Sequence, residues 1–91
     1  MGKEIRLFKS QERKNREEVA AFLTQLADKI SSGQVVLRKG KEEINLKMPY
    51  NLVLEIQVED EDKKQKGTQH SLELEIKWFD DDKGSGPLEL G

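Results

Sequence analysis

Leu72-Glu73-Leu74-Glu75-Ile76-Lys77-Trp78 is the stretch that decides how this chain folds. Apolar and charged side chains alternate without a break up to the single tryptophan. A period of two places Leu72, Leu74, Ile76 and Trp78 on one face of a strand, with Glu73, Glu75 and Lys77 on the other. An apolar face of that kind has to be covered, so the stretch predicts a one-sided sheet packed on a second layer. It speaks to architecture and names no chemistry.

The same period recurs upstream. Leu52, Leu54, Ile56 and Val58 share one face, Glu55, Gln57 and Glu59 the other, and Val53 is the exception on the polar side. Ile44, Leu46 and Met48 alternate with Glu43, Asn45 and Lys47 until Pro49, which has no N–H to give a ladder. Val35 and Leu37 open a strand that Arg38-Lys39-Gly40-Lys41 turns back. Near the start, Ile5 and Leu7 alternate with Glu4 and Arg6, which predicts a short first strand over about residues 4–9. Residues 60–69, Asp-Glu-Asp-Lys-Lys-Gln-Lys-Gly-Thr-Gln, read as a charged loop.

Between the first strand and Val35 the period changes to that of a helix. Val19, Phe22, Leu23, Leu26 and Ile30 fall on one stripe, with Ala20 and Ala27 beside it for close approach. Asn15 followed by Glu18 has capping-box spacing, with Asn in place of Ser or Thr. Gly33, after Ser31 and Ser32, is a C-terminal stop. The expected fold is therefore α+β. One amphipathic helix packs on one face of a four- or five-stranded, mostly antiparallel sheet, in the order β-α-β-β-β-β.

Ninety-one residues suffice for a single domain over residues 1–79. Apolar residues make up 34% of the chain and charged ones 37%, so the core has to be thin and the surface ionic. Net charge is −2, but residues 1–16 carry six basic against two acidic side chains, or +4, which leaves −6 for the rest. Residues 80–91 offer little to bury beyond Leu88 and Leu90 and read as a flexible acidic, Gly-Pro tail. Cysteine is absent, which excludes disulfides and thiolate chemistry and is compatible with a reducing compartment. No stretch approaches the roughly 18 apolar residues of a membrane span. Arg6 stands where a myristoylation signal at Gly2 needs Ser or Thr. A cytoplasmic location with no membrane partner is the expectation.

In this order and spacing, the motifs resemble the amphi-Trp domain family of small prokaryotic proteins. The matching residues are Arg16-Glu17-Glu18-Val19-Ala20-Ala21-Phe22-Leu23, Leu26-Ala27-Asp28-Lys29, Ser32-Gly33 and Met48-Pro49. Leu54-Glu55-Ile56-Gln57-Val58-Glu59 and the closing run from Leu72 to Trp78 complete the pattern. The resemblance spans about residues 4–79. It implies a compact α+β domain in a bacterial or archaeal cytoplasm, and it implies no activity.

Catalytic vocabulary is sparse. His70 is the sole histidine, with no cysteine and no helical His partner to build a zinc site, and it reads as a surface loop residue. Asp60, Asp62 and the run Asp80-Asp81-Asp82 suggest calcium, but counting from Asp60 puts Gln65 and Ser71 where an EF-hand needs Gly and Glu. Glu55, Glu59, Glu73 and Glu75 share the polar sheet face. A pair such as Glu55 and Glu73 needs burial before its pKa values separate for acid–base work. No phosphate loop and no nucleophile pattern occurs, so neither an enzyme nor a cofactor is expected.

Two functions remain. The first is a protein interaction or self-association module, possible as a homodimer, with Trp78, Phe79 and Tyr50 as candidate contact residues near a strand edge. The alternative is a nucleic-acid accessory whose Lys9, Arg13, Lys14 and Arg16 contact phosphates. Few aromatics are interleaved with those cations to stack on bases, which sets the alternative second.

Overall fold

The computed structural model describes residues 2–80. The chain is α+β as expected, with one helix and four strands among the described residues. In order these are α1 (Arg16–Ser32), β1 (Gln34–Lys39), β2 (Glu42–Lys47), β3 (Val53–Asp62) and β4 (Thr68–Lys77). The strands pair antiparallel as two separate two-stranded sheets, β1 with β2 and β3 with β4. One compact unit ends at Met48 and a second begins at Pro49. The tail expected over residues 80–91 lies, apart from Asp80, outside the described residues.

In the first unit, α1 begins and ends as its sequence dictates. The Asn15 side chain accepts from the Glu18 N–H at 2.7 Å, and the Glu18 carboxylate accepts from the Asn15 N–H at 3.0 Å. Both halves of the capping box are thus made, satisfying two of the amides that a helix start leaves without partners. Gly33 closes the helix at φ +87°, in the left-handed region where a side chain is strained, and donates to the Ile30 carbonyl at 3.0 Å. The chain then passes directly into β1. Met48 N–H donates to the Gly33 carbonyl at 2.9 Å, lengthening the hairpin by one bond beyond its ladder. The helix packs against β1.

Register places Val35 and Leu37 opposite Leu46 and Ile44, so these four share one face of the first hairpin. Val35, only 4% exposed, is the one buried residue among the described residues. The helix stripe is covered in part. Leu26 and Ile30 are half-buried, whereas Val19, Phe22 and Leu23 stay exposed around a depression of about 470 Å3 that Phe8 and Val36 also line.

The first strand expected over residues 4–9 does not form, and no ladder precedes Gln34 among the described residues. Ile5, Leu7 and Phe8 instead line a depression of about 760 Å3 together with Leu37, Ile44 and Leu46. Ile5 and Leu7 themselves remain largely exposed. Two apolar residues in alternation do not specify a ladder register.

The charged loop expected over residues 60–69 is shorter than the sequence suggests. Pairing continues through Asp60↔His70, Glu61↔Gln69 and Asp62↔Thr68 before the chain turns. Polar cross-strand pairs hold this end in place of apolar ones. The turn closes through the Lys63 N–H to the Gly67 carbonyl at 2.8 Å, and the Asp62 carboxylate accepts from the Lys64 N–H at 2.8 Å.

Candidate functional site

The β3–β4 ribbon carries the longest apolar alternation of the chain, and Trp78 and Phe79 follow directly on its last strand. Its register sets Leu54 opposite Ile76, Ile56 opposite Leu74 and Val58 opposite Leu72. These three pairs form one continuous apolar strip, as the alternation of the two strands predicts. Their exposure is not what a core would give. Leu54, Ile56, Val58, Leu72 and Leu74 are all between 56% and 72% exposed, and Ile76 is half-buried.

The opposite face is ionic. Glu55 lies across from Glu75, Gln57 from Glu73 and Glu59 from Ser71. Lys77 Nζ donates to Glu55 Oε1 at 2.7 Å and lies 3.7 Å from Glu75 Oε1. The Lys77 pKa is raised, first by the hydrogen bond to Glu55 and then by that carboxylate's charge. Glu73 is also raised, above the usual carboxylate value, by a hydrogen bond shared with Glu59 and by the repulsion between the two. A hydrogen bond from Ser71 opposes that shift in part. Glu55 is engaged with Lys77 and Glu73 with Glu59, so Glu55 and Glu73 do not act on one another as a pair. The side chains of both pairs face water.

His70 stands within β4 rather than in a loop. Its Nδ1 lies 2.6 Å from Asp60 Oδ1, and both side chains are mostly exposed. An aspartate in that position fixes which ring nitrogen carries the proton. Ser71, the adjacent residue, points to the other face and donates to the Glu59 carbonyl at 3.4 Å, so it cannot serve His70 as a nucleophile. The pairing was legible in principle: Asp60 and His70 are equidistant from residue 65, as are Leu54 and Ile76. Among the described residues, no group of three or more His, Cys, Asp or Glu side chains is placed to hold a metal ion.

Of the aromatic candidates, Trp78 is half-buried just past the end of β4, while Phe79 and Tyr50 are exposed, Tyr50 at 98%. Trp78 and Phe79 line a depression of about 530 Å3 with Val53, Ile76 and Lys77, at the end of the strip. The basic candidates belong to the first unit. Lys9, Arg13 and Lys14 precede α1, Arg16 is its first residue, and all four are exposed. Glu12 approaches Lys14 at 3.7 Å. Arg16 stands at the positive end of the helix dipole, and Glu17 and Glu18 follow it directly.

A strip ending at Trp78 and backed by alternating charges is the feature that gives a known family its description. A family model for the Amphi-Trp domain matches residues 1–91. The chain belongs to the Amphi-Trp domain family. No curated protein and no solved structure matches it significantly. Among the described residues, no helix is long and apolar enough to cross a membrane.

Proposed function

We propose that this chain is a non-enzymatic interaction module whose contact surface is the apolar strip of the β3–β4 ribbon. One observation carries the reading: six apolar side chains in three cross-strand pairs, five of them more than half exposed. A two-stranded hairpin is marginal in water by itself and gains independent stability from packing on another layer. Contiguous exposed apolar surface rimmed by polar groups is characteristic of a binding face. Trp78 and Phe79 extend that surface beyond the ladder. The nucleic-acid reading of Lys9, Arg13, Lys14 and Arg16 is the weaker, because Glu12, Glu17 and Glu18 stand among those cations. A prokaryotic cytoplasm is part of the proposal, and a chain without cysteine suits that reducing setting.

Carbene footprinting tests the surface. The purified chain, diluted to nanomolar concentration, is labelled in parallel with the same chain in lysate of its source cells. Leu54, Ile56, Leu72 and Leu74 are expected to be labelled strongly in the first sample and protected in the second. Equal labelling of the strip in both samples overturns the reading.

A further inference from the structure

We infer that the occupant of the strip is a second copy of this chain, seated face to face about a two-fold axis that runs across the strands. The inference rests on the interaction-module reading and gives that surface its partner. Three features of the ribbon favour this occupant.

Self-contact requires a surface that complements itself. The polar face of the ribbon carries five Glu, at 55, 59, 61, 73 and 75, against Lys77, so two copies approaching by their polar faces repel. The strip itself holds no ionisable side chain across its three pairs, and Glu55, Glu59, Glu73 and Glu75 all belong to the opposite face. Two strips can therefore meet without burying a charge, which would cost more than the contact returns.

Orientation follows from the ends of the strip. Asp60 and Asp62 share its face beyond Val58, next to His70 and Thr68. A two-fold axis across the strands sends these acidic ends to opposite sides of the pair. Parallel packing would set Asp60 against Asp60. Apolar sheet faces pack at about 10 Å in this manner, with interdigitating side chains.

Area sets the scale of the contact. An exposed Leu, Ile or Val side chain offers on the order of 100 Å2 of apolar surface. The five exposed side chains of each strip bring the pair to roughly 1,000 Å2, the threshold of a specific interface. Association in the micromolar range is expected, reversible on dilution.

Sedimentation of the purified full chain tests the inference, together with single-cysteine variants of a protein that has no cysteine of its own. The weight-average mass is expected to double from 10.5 kDa between about 1 and about 100 μM. With a short bis-maleimide cross-linker that spans the sheet spacing, Ile56→Cys at the strip centre is expected to give a covalent dimer, and Gln57→Cys on the polar face is not. Ile56→Cys is a mild change, and Trp78 fluorescence matching the parent chain shows that the ribbon still folds. Ile56→Asp is expected to hold the chain at the monomer mass, and Gln57→Lys to leave the doubling intact. A monomer mass at every concentration overturns the second copy, as does cross-linking through Gln57→Cys in preference to Ile56→Cys. If that monomer's strip is nevertheless protected in lysate, the module reading stands and only its partner changes. Should the monomer's strip be labelled equally in lysate and alone, both fall.

Discussion

The two hairpins of this chain obey one sequence rule and reach opposite ends. In β1–β2, two apolar cross-strand pairs, Val35 with Leu46 and Leu37 with Ile44, sit beside a capped helix, and Val35 is buried. In β3–β4 the alternation is longer and cleaner, yet its apolar side chains are mostly exposed. Alternation assigns side chains to a face. Whether that face becomes a core depends on a second layer, which a strand's own sequence does not supply. The contrast makes the first hairpin a structural element and the second a surface.

The widest gap between the two should appear on removing methyl groups. Val35→Ala opens a cavity at the one buried position and is expected to cost roughly 1–3 kcal/mol. Val58→Ala, at 72% exposure, should fall within about 0.5 kcal/mol in dilute solution. Urea unfolding reads both effects: circular dichroism follows α1 in the first unit, and Trp78 fluorescence follows the second. If Val58→Ala matched Val35→Ala in dilute solution, the ribbon would have a core and the distinction would be lost. A cost for Val58→Ala that grows with protein concentration would instead point to a covered strip.

Backbone conformation gives a smaller effect that is similar in the two units. Gly33 at φ +87° ends the helix, and Gly67 at φ +84°, ψ −156° closes the ribbon turn. A Cβ at Gly33 meets only the Met48 carbonyl, at 3.7 Å, and one at Gly67 meets nothing within 4 Å. The penalty of an alanine is thus conformational strain without a clash. Each is expected to cost about 1–2 kcal/mol. Gly33→Ala should move the circular dichroism midpoint and Gly67→Ala the Trp78 midpoint. Were either substitution neutral in its own probe, the positive φ at that glycine would not be required for folding.

Legibility followed the same division. The helix was readable from end to end because its signals are local: Asn15 and Glu18 are three residues apart, and Gly33 acts on the turn it terminates. Face assignment in β3 and β4 was readable because a period of two is intrinsic to a strand. The division into two sheets was not, since strand partners are chosen by non-local contacts that no single segment encodes. Ile5 and Leu7 alternate as a strand would, yet they line a depression with Leu37, Ile44 and Leu46 and form no ladder. The Asp60–His70 pair escaped because charged composition argues for a loop, whereas a register already fixed by Leu54 and Ile76 carries the ladder on to Asp62. Trp78, Phe79 and Tyr50 were placed near an exposed end by position alone. That the strip between Leu54 and Ile76 would itself be exposed had no local signal at all.

Charge gives the smallest of the expected effects, and it separates two glutamates on one face of the ribbon. Glu73 has its pKa raised by Glu59, so the folded chain binds that proton more tightly than the unfolded chain does. Its contribution to stability is present below the ordinary glutamate pKa and is lost as pH rises through the raised folded value. At neutral pH the ionised pair is a liability, and Glu73→Gln should raise the Trp78 unfolding midpoint slightly. The gain should vanish by about pH 4, where the parent carboxyl takes up its proton. Glu55 is the opposite case, since it holds Lys77 at 2.7 Å. Glu55→Gln removes that partner and should lower the midpoint at neutral pH. Both side chains face water, so added salt should shrink both shifts. Equal signs for the two substitutions at low salt would mean that net charge, rather than the Glu59–Glu73 and Glu55–Lys77 pairs, governs this face. The first unit offers the control: neither substitution should move the circular dichroism midpoint of α1, whose own ends are fixed by Asn15, Glu18 and Gly33.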